Sequence, residues 1–346
     1  MKKHKICKIL LVILAIFLCV AFYELLGICV AYKKQPEVSN TTKKETKNGS
    51  WNECSENTER AVIIEKNPEA LLQRVRLIKN AKKEIILSTF AFQSDESGKL
   101  ILGALHDAAD RGVHIRLLVD GMESWIDMEG NPYFYGLSSH ENVEIKLYNK
   151  ANPLKPWKMM GRMHDKYLIA DGKRYILGGR NTYNYFLGDF PGHKNYDRDV
   201  LVVCDEPEKE NSVNQLLEYF ETIWEQEDSG YFHDNKKLAN RKSVKNAVLE
   251  LQNGYQKYFE ENKERICDTD YTDETFETEK IALVSNPIHT GSKEPVVWYQ
   301  LGELMKNAKN RVKIHTPYII CNDMMYNTWK EIAESVPDFS IMTNSV

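Results

Sequence analysis

The sequence predicts an α/β protein: a mixed, mostly β-sheet core flanked by helices, with an N-terminal transmembrane helix and an incomplete second repeat. Three observations carry this. From about residue 60 onward, β-prone apolar runs alternate with amphipathic helical stretches, the pattern of a partly parallel sheet joined through helices. One strand–helix–strand stretch recurs late in the chain. The first 32 residues read unlike everything that follows.

That first stretch opens with four lysines (Lys2, Lys3, Lys5, Lys8) and continues uncharged from Ile9 to Tyr23; Glu24 interrupts and LLGICVAY completes the run to Tyr32. A bilayer core takes roughly 20 apolar helical residues. The run reaches that length with Glu24 near one end, where its carboxylate can reach toward the headgroups. No A-x-A-like cleavage site follows, so residues 1–32 read as an uncleaved anchor rather than a signal peptide. Lysines on both sides leave the orientation open. Residues 33–59 are polar, without periodicity, and read as a disordered, solvated linker.

Of 346 residues, 42% are hydrophobic and 28% charged, with a formal net charge of −4. The chain is too apolar to be mostly disordered. Its acidic balance argues against a broad nucleic-acid surface, which needs a basic excess. The seven cysteines are scattered, with neither a disulfide framework nor a CxxC metal pattern.

Residues 79–89 (KNAKKEIILST) and 306–316 (KNAKNRVKIHT) match at an offset of 227. Each follows a helical stretch, opens a strand, and leads through a second helix to a second strand ending near Gly121 and Ser345. The boundaries follow: a first domain at 60–232 with its chemical motif at 158–185, a connecting helical segment at 233–273, and a partial second domain at 274–346.

The chemistry concentrates in RMHDKYLIADGKRYILGGRN, from Arg162 to Asn181. Two β-prone runs flank Asp171–Gly172–Lys173, a hairpin signal. Side chains alternate along a strand, so His164 and Lys166 share a face. A Gly172–Lys173 turn places His164 opposite Asn181; an Asp171–Gly172 turn places it opposite Gly179. An imidazole can act as nucleophile or general acid. An ammonium beside it supplies a point charge, and an amide with glycine-flanked backbone adds neutral donors. That set suits phosphate better than a carbonyl. There is no Walker loop, HExxH or nucleophile elbow. Asp171, at the hairpin tip, either meets a partner motif or braces the turn.

HDKYLIAD, with GGRN after it, resembles the HxKxxxxD signature of the phospholipase D superfamily, and the chain from about residue 60 looks like the bacterial cardiolipin synthase-like proteins. The resemblance implies a phospholipase D-like fold. It implies His164 as a nucleophile forming a phosphohistidine, or as the acid paired with one; Lys166, Gly179 and Asn181 on phosphate oxygens; Asp171 supporting a catalytic histidine; and Asp199, in YDRDVLVV, as a supporting carboxylate. It implies no cofactor and no metal. The superfamily uses two such motifs and this chain shows one. The repeat offset places the other beyond Val346, so the second motif is expected from a missing C-terminal part or from a homodimer partner.

The function expected is a phosphatidyl transferase or phosphodiesterase acting on phospholipid, held by a single-pass anchor at a bacterial cell membrane. The alternatives are a nuclease of the same superfamily, with nucleic acid a poor fit to the charge, and a catalytically incomplete membrane protein.

Overall fold

In the computed structural model, residues 2–49, 59–207, 210–233 and 235–344 are described. The chain begins with one long helix, α1 (Lys2–Tyr32), of which Lys5–Tyr32 is long and apolar enough to cross a membrane by length and composition. The polar stretch after it departs from the expected linker. Asn40–Asn48 forms a helix, α2, because Ser39 caps its N-terminus by accepting the Thr42 N–H and Gly49 closes it at φ 73°. The rest of the expected linker, residues 50–58, lies outside the described residues.

The main body follows as β1 (Arg60–Ile64), α3 (Asn67–Asn80), β2 (Glu84–Thr89), α4 (Glu96–Asp110), β3 (His114–Asp120), the short α5 (Trp125–Met128), α6 (Pro132–Ser138) and β4 (Val143–Tyr148). Then come β5 (Lys166–Ala170), β6 (Arg174–Gly178), β7 (Asp199–Val203), α7 (Ser212–Trp224), β8 (Ser229–Tyr231), α8 (Lys242–Glu261), α9 (Lys263–Cys267) and β9 (Phe276–Glu277). The strands make one nine-stranded sheet in the order β8-β4-β3-β2-β5-β6-β7-β1-β9. Within this sheet, among the described residues, the parallel pairs are β2–β3 and β3–β4. β5 lies antiparallel beside β2, with Lys166 opposite Thr89.

Period-two alternation divides the core. Ile85, Leu87, Leu168 and Ala170 face α3, α4 and α8, whereas Ile86, Tyr167 and Ile169 face α7, whose Val213, Leu216, Phe220, Ile223 and Trp224 are buried. The segment expected to be a solvated connector joins this core. α8 buries Val244, Ala247, Leu251, Tyr255 and Phe259, a stripe at helical spacing that packs onto α4 and α6.

The last part is α10 (Val296–Lys306), β10 (Arg311–His315), α11 (Asp323–Ser335) and β11 (Asp338–Met342). β10 and β11 pair in parallel as a separate two-stranded sheet. This repeats the order α3–β2–α4–β3, and both halves pair their two strands in parallel.

Candidate active site

The β5–β6 hairpin sets the site, and its register differs from both sequence expectations. Asp171 (φ 54°) and Gly172 (φ 63°) form a left-handed two-residue turn closed by Lys173 N–H to the Ala170 carbonyl at 3.0 Å. Ala170 nevertheless pairs with Arg174, and Tyr167 with Leu177. Lys173 is therefore an extra residue in one strand, a bulge that shifts the register by one. In this register His164 lies opposite neither Gly179 nor Asn181.

Because β5 is antiparallel to β2, its N-terminal end lies where the parallel strands end. Lys166 is therefore level with Thr89, at the carboxyl ends of the parallel strands, the usual crevice for ligands in such sheets. Its side chain is buried, with Nζ donating to the His164 carbonyl oxygen at 2.7 Å and lying 5.2 Å from the Phe90 ring centre. Burial pulls its pKa down to about 8, partly opposed by Asp165, Asp197 and Asp120. The His164 ring stacks at a tilt on Phe90, centres 4.6 Å apart. Desolvation, then the Lys166 charge, holds its pKa below the ordinary histidine value. A neutral imidazole beside an ammonium results.

Between them, Asp165 accepts a hydrogen bond from Tyr219 Oη at 2.9 Å. Burial pushes its carboxyl up. Arg162, His164, Asp165 and Lys166 line a cleft of about 390 Å³ that Tyr219, residues 283–286 and Ile288 wall. Lys293 closes one side, its Nζ donating to the Arg162 carbonyl at 3.1 Å.

Asp120, fully buried at the end of β3, holds the segment leading into the motif. Its carboxylate accepts the backbone N–H groups of Met122, Glu123 and Met163 and pairs with Arg162 at 3.3 Å. Asn181 is buried, its Oδ1 accepting the Ala91 N–H at 3.2 Å, which ties GGRN to the Phe90–Ala91 turn. Asp199 is sandwiched between Arg74 at 2.9 Å and Arg180 at 3.2 Å, all three buried.

Asp171 lies just past the end of β5 remote from His164. Its carboxylate accepts the backbone N–H groups of Lys82, Lys83 and Glu84 at 2.7–3.1 Å, bracing the loop before β2. The Gly179 amide points at the Arg198 carbonyl, 3.4 Å away, rather than into the cleft. The value of this glycine is its missing side chain, since a Cβ there would lie 2.0 Å from Asp197 Oδ2. Sequence reasoning missed Phe90, Asp120 and Asp197. Phe90 directly follows the KNAKKEIILST strand, which was a signal for a residue at the strand's end; the acids carry no local signal. Among the described residues, no cluster of His, Cys, Asp and Glu could hold a metal ion.

A protein family described as "Cardiolipin synthase, PLD-like domain" matches residues 74–224. An uncharacterised protein of Helicobacter pylori is 28% identical over 314 residues, covering 83% of this chain and 59% of that protein. Cardiolipin synthase C of Escherichia coli is 29% identical over 171 residues, 45% of this chain and 34% of the synthase. Among solved structures, the phosphatidylserine synthase of Haemophilus influenzae superposes with a TM-score of 0.56 at 16% identity, over 88% of this chain and 66% of that one. This last likeness is one of fold. The chain thus spans 59% and 34% of the lengths of these two curated relatives. Residues 74–224, which include the HDKYLIAD stretch, are thus similar to the PLD-like domain of the cardiolipin synthase kind.

Proposed function

We propose that this chain is the membrane-anchored, motif-bearing part of a phosphatidyltransferase of the cardiolipin synthase type. One observation carries the reading: His164, held largely neutral, sits beside Lys166 at the ends of the parallel strands and faces a cleft. A neutral imidazole has the lone pair a nucleophile needs, and the ammonium can stabilise the negative charge that builds on phosphate oxygens.

In this reading an imidazole nitrogen of His164 attacks the phospholipid phosphorus. The bond to the leaving alcohol breaks, and that alkoxide takes a proton from an acid supplied by a second half-site. The hydroxyl of an acceptor alcohol then attacks the phosphohistidine, gives up its proton to the same group, and the histidine leaves neutral. Lys166 and Asn181 hold phosphate oxygens throughout. The second half-site comes from further sequence of a longer chain or from a second copy. Asp199 and its two arginines support the site from below, and α1 keeps it at a bacterial cell membrane.

The test is lipid mass spectrometry on membranes from cells expressing the protein, beside the His164→Ala variant. The reading requires a rise in cardiolipin or phosphatidic acid that the variant lacks. Unchanged lipids together with cleavage of single-stranded DNA would replace it with a nuclease.

A further inference from the structure

Glu24 is a carboxylate within an otherwise apolar helical run, and it lies on the partly covered side of α1. Near the end of α1, Glu24, Gly27, Ile28, Ala31 and Tyr32 are partly covered, while Tyr23, Leu25, Leu26, Cys29 and Val30 are exposed. Covered positions three and four apart form one helix face. That face meets the main body rather than the open side. Tyr32 Oη donates to the Thr290 carbonyl at 2.7 Å, and Ser292 Oγ donates to the Ala31 carbonyl at 3.2 Å. A Cβ on Gly27 would lie 2.5 Å from Pro156 Cγ. Further up, Tyr23 Oη donates to the Leu154 carbonyl at 3.1 Å. Gly27 and Ala31 are small residues four apart, the spacing that lets a partner backbone come close to a membrane helix.

These contacts fix a depth. At ~1.5 Å per residue, Tyr23 lies about 13 Å along the helix from Tyr32. A hydrocarbon core takes roughly 20 helical residues; counted from Ile9, it reaches Ile28. The contacts at Tyr23 and Gly27 then fall inside the edge of the apolar layer, and the loop that makes them shares that depth. Its side chains suit the place: Leu154 is 77% exposed, Met160 59% and Trp157 45%. Exposed lysines flank this depth, Lys155 on the loop and Lys33 and Lys34 just past the helix, and their long stems can carry the ammonium to anionic headgroups.

We propose that residues 153–160 form a loop that dips into the membrane surface, clamped to α1 through Tyr23 and Gly27, with a leaflet bearing anionic phospholipid as its occupant. The inference rests on the reading of α1 as a membrane anchor. His164 follows the loop by four residues, so the clamp sets the cleft at headgroup level. A phospholipid then presents its phosphate without being drawn far out of the bilayer.

The test uses the full chain in vesicles of phosphatidylglycerol and phosphatidylcholine. The fluorescence of Trp157 is taken as the difference between the wild type and Trp157→Phe. Lipids brominated near the headgroup end of their chains should quench that component, and aqueous iodide should not. Gly27→Leu, which forces Pro156 away from α1, should open Trp157 to iodide and so loosen the clamp without touching the fluorophore. Equal bromolipid quenching of wild type and Trp157→Phe would overturn the proposal, as would a Trp157 component quenched by iodide. A component shielded from both quenchers, but exposed when protein is diluted in lipid, would mean that a second copy covers the loop, and would also overturn it. Alkaline extraction checks the anchor separately: release of the protein would remove the anchor reading and the loop with it. None of these measurements depends on lipid turnover, so failure of the enzymatic reading would leave them intact.

Discussion

Lys166 donates its Nζ–H to the carbonyl oxygen of His164, two residues back, at 2.7 Å. The ammonium therefore curls over the backbone of the residue it must assist, and both groups are partly stripped of water. Their pKa values move down together, Lys166 to about 8. Chemistry through this pair needs the imidazole neutral and the ammonium charged.

The pH dependence follows from those signs. Activity should rise as pH climbs through a histidine pKa lower than the ordinary 6.5, and fall as pH passes about 8, where Lys166 loses its proton. Lys166→Arg should lower the rate yet abolish the descending limb, because a guanidinium stays charged across this range. The pH profile of kcat/KM for both proteins checks this. A descending limb that survives in Lys166→Arg would assign it to another group.

Asp199 carries the largest expected effect on stability. It lies between two buried guanidiniums, 2.9 Å from Arg74 and 3.2 Å from Arg180. Asp199→Asn keeps the shape but leaves two buried positive charges facing a neutral amide. Breaking a buried ion pair in this way costs about 3–5 kcal/mol. Denaturant unfolding should show the midpoint falling with little change in slope. A loss below ~1 kcal/mol would mean that the arginines relax onto other acceptors.

Much of this arrangement was legible in the sequence, for local reasons. The matched KNAK segments give β2 and β10, and the parallel pairing in each half follows from strand–helix–strand order. Alternation predicts that His164 and Lys166 share a side, and both meet the Phe90 ring although β5 begins only at Lys166. The register was not legible, because the left-handed pair Asp171–Gly172 is followed by a bulge at Lys173, and nothing in composition distinguishes a bulged turn from a tight one. α8 misled through its charge: Lys, Glu and Asn dominate it, while the stripe from Val244 to Phe259 decides where it packs. Asp120 and Asp197 reach the site through the fold from separate segments, which no spacing rule reports.

Asp171 separates a motif residue from a residue of the reaction. Its carboxylate accepts three consecutive backbone N–H groups, from Lys82 to Glu84. Asp171→Ala leaves those donors to water at a partly exposed loop, which should cost about 1–2 kcal/mol. At a temperature where the variant stays folded, its kcat should remain near the wild-type value, whereas His164→Ala should have none. A thermal melt alongside single-temperature kinetics resolves the two effects. A kcat collapse in a fully folded Asp171→Ala would restore the carboxylate to the chemistry.

Gly178 tests how tightly the support beneath the site is packed. It ends β6 opposite Asp199, and a Cβ there would stand 2.1 Å from Asp199 Oδ1 and 2.5 Å from the Arg198 carbonyl. The Asp199 carboxylate is pinned by two arginines and the carbonyl belongs to the backbone, so neither can swing aside. Gly178→Ala must therefore part β6 from β7 locally or push Asp199 off its arginines. Overpacking of this kind costs about 1–3 kcal/mol. The Asp199→Asn background distinguishes the two routes. If Gly178→Ala acts by displacing Asp199, the double variant loses much less than the two single losses combined. Full additivity in urea unfolding would place the strain in the strand pair instead, and leave the Arg74–Asp199–Arg180 sandwich undisturbed.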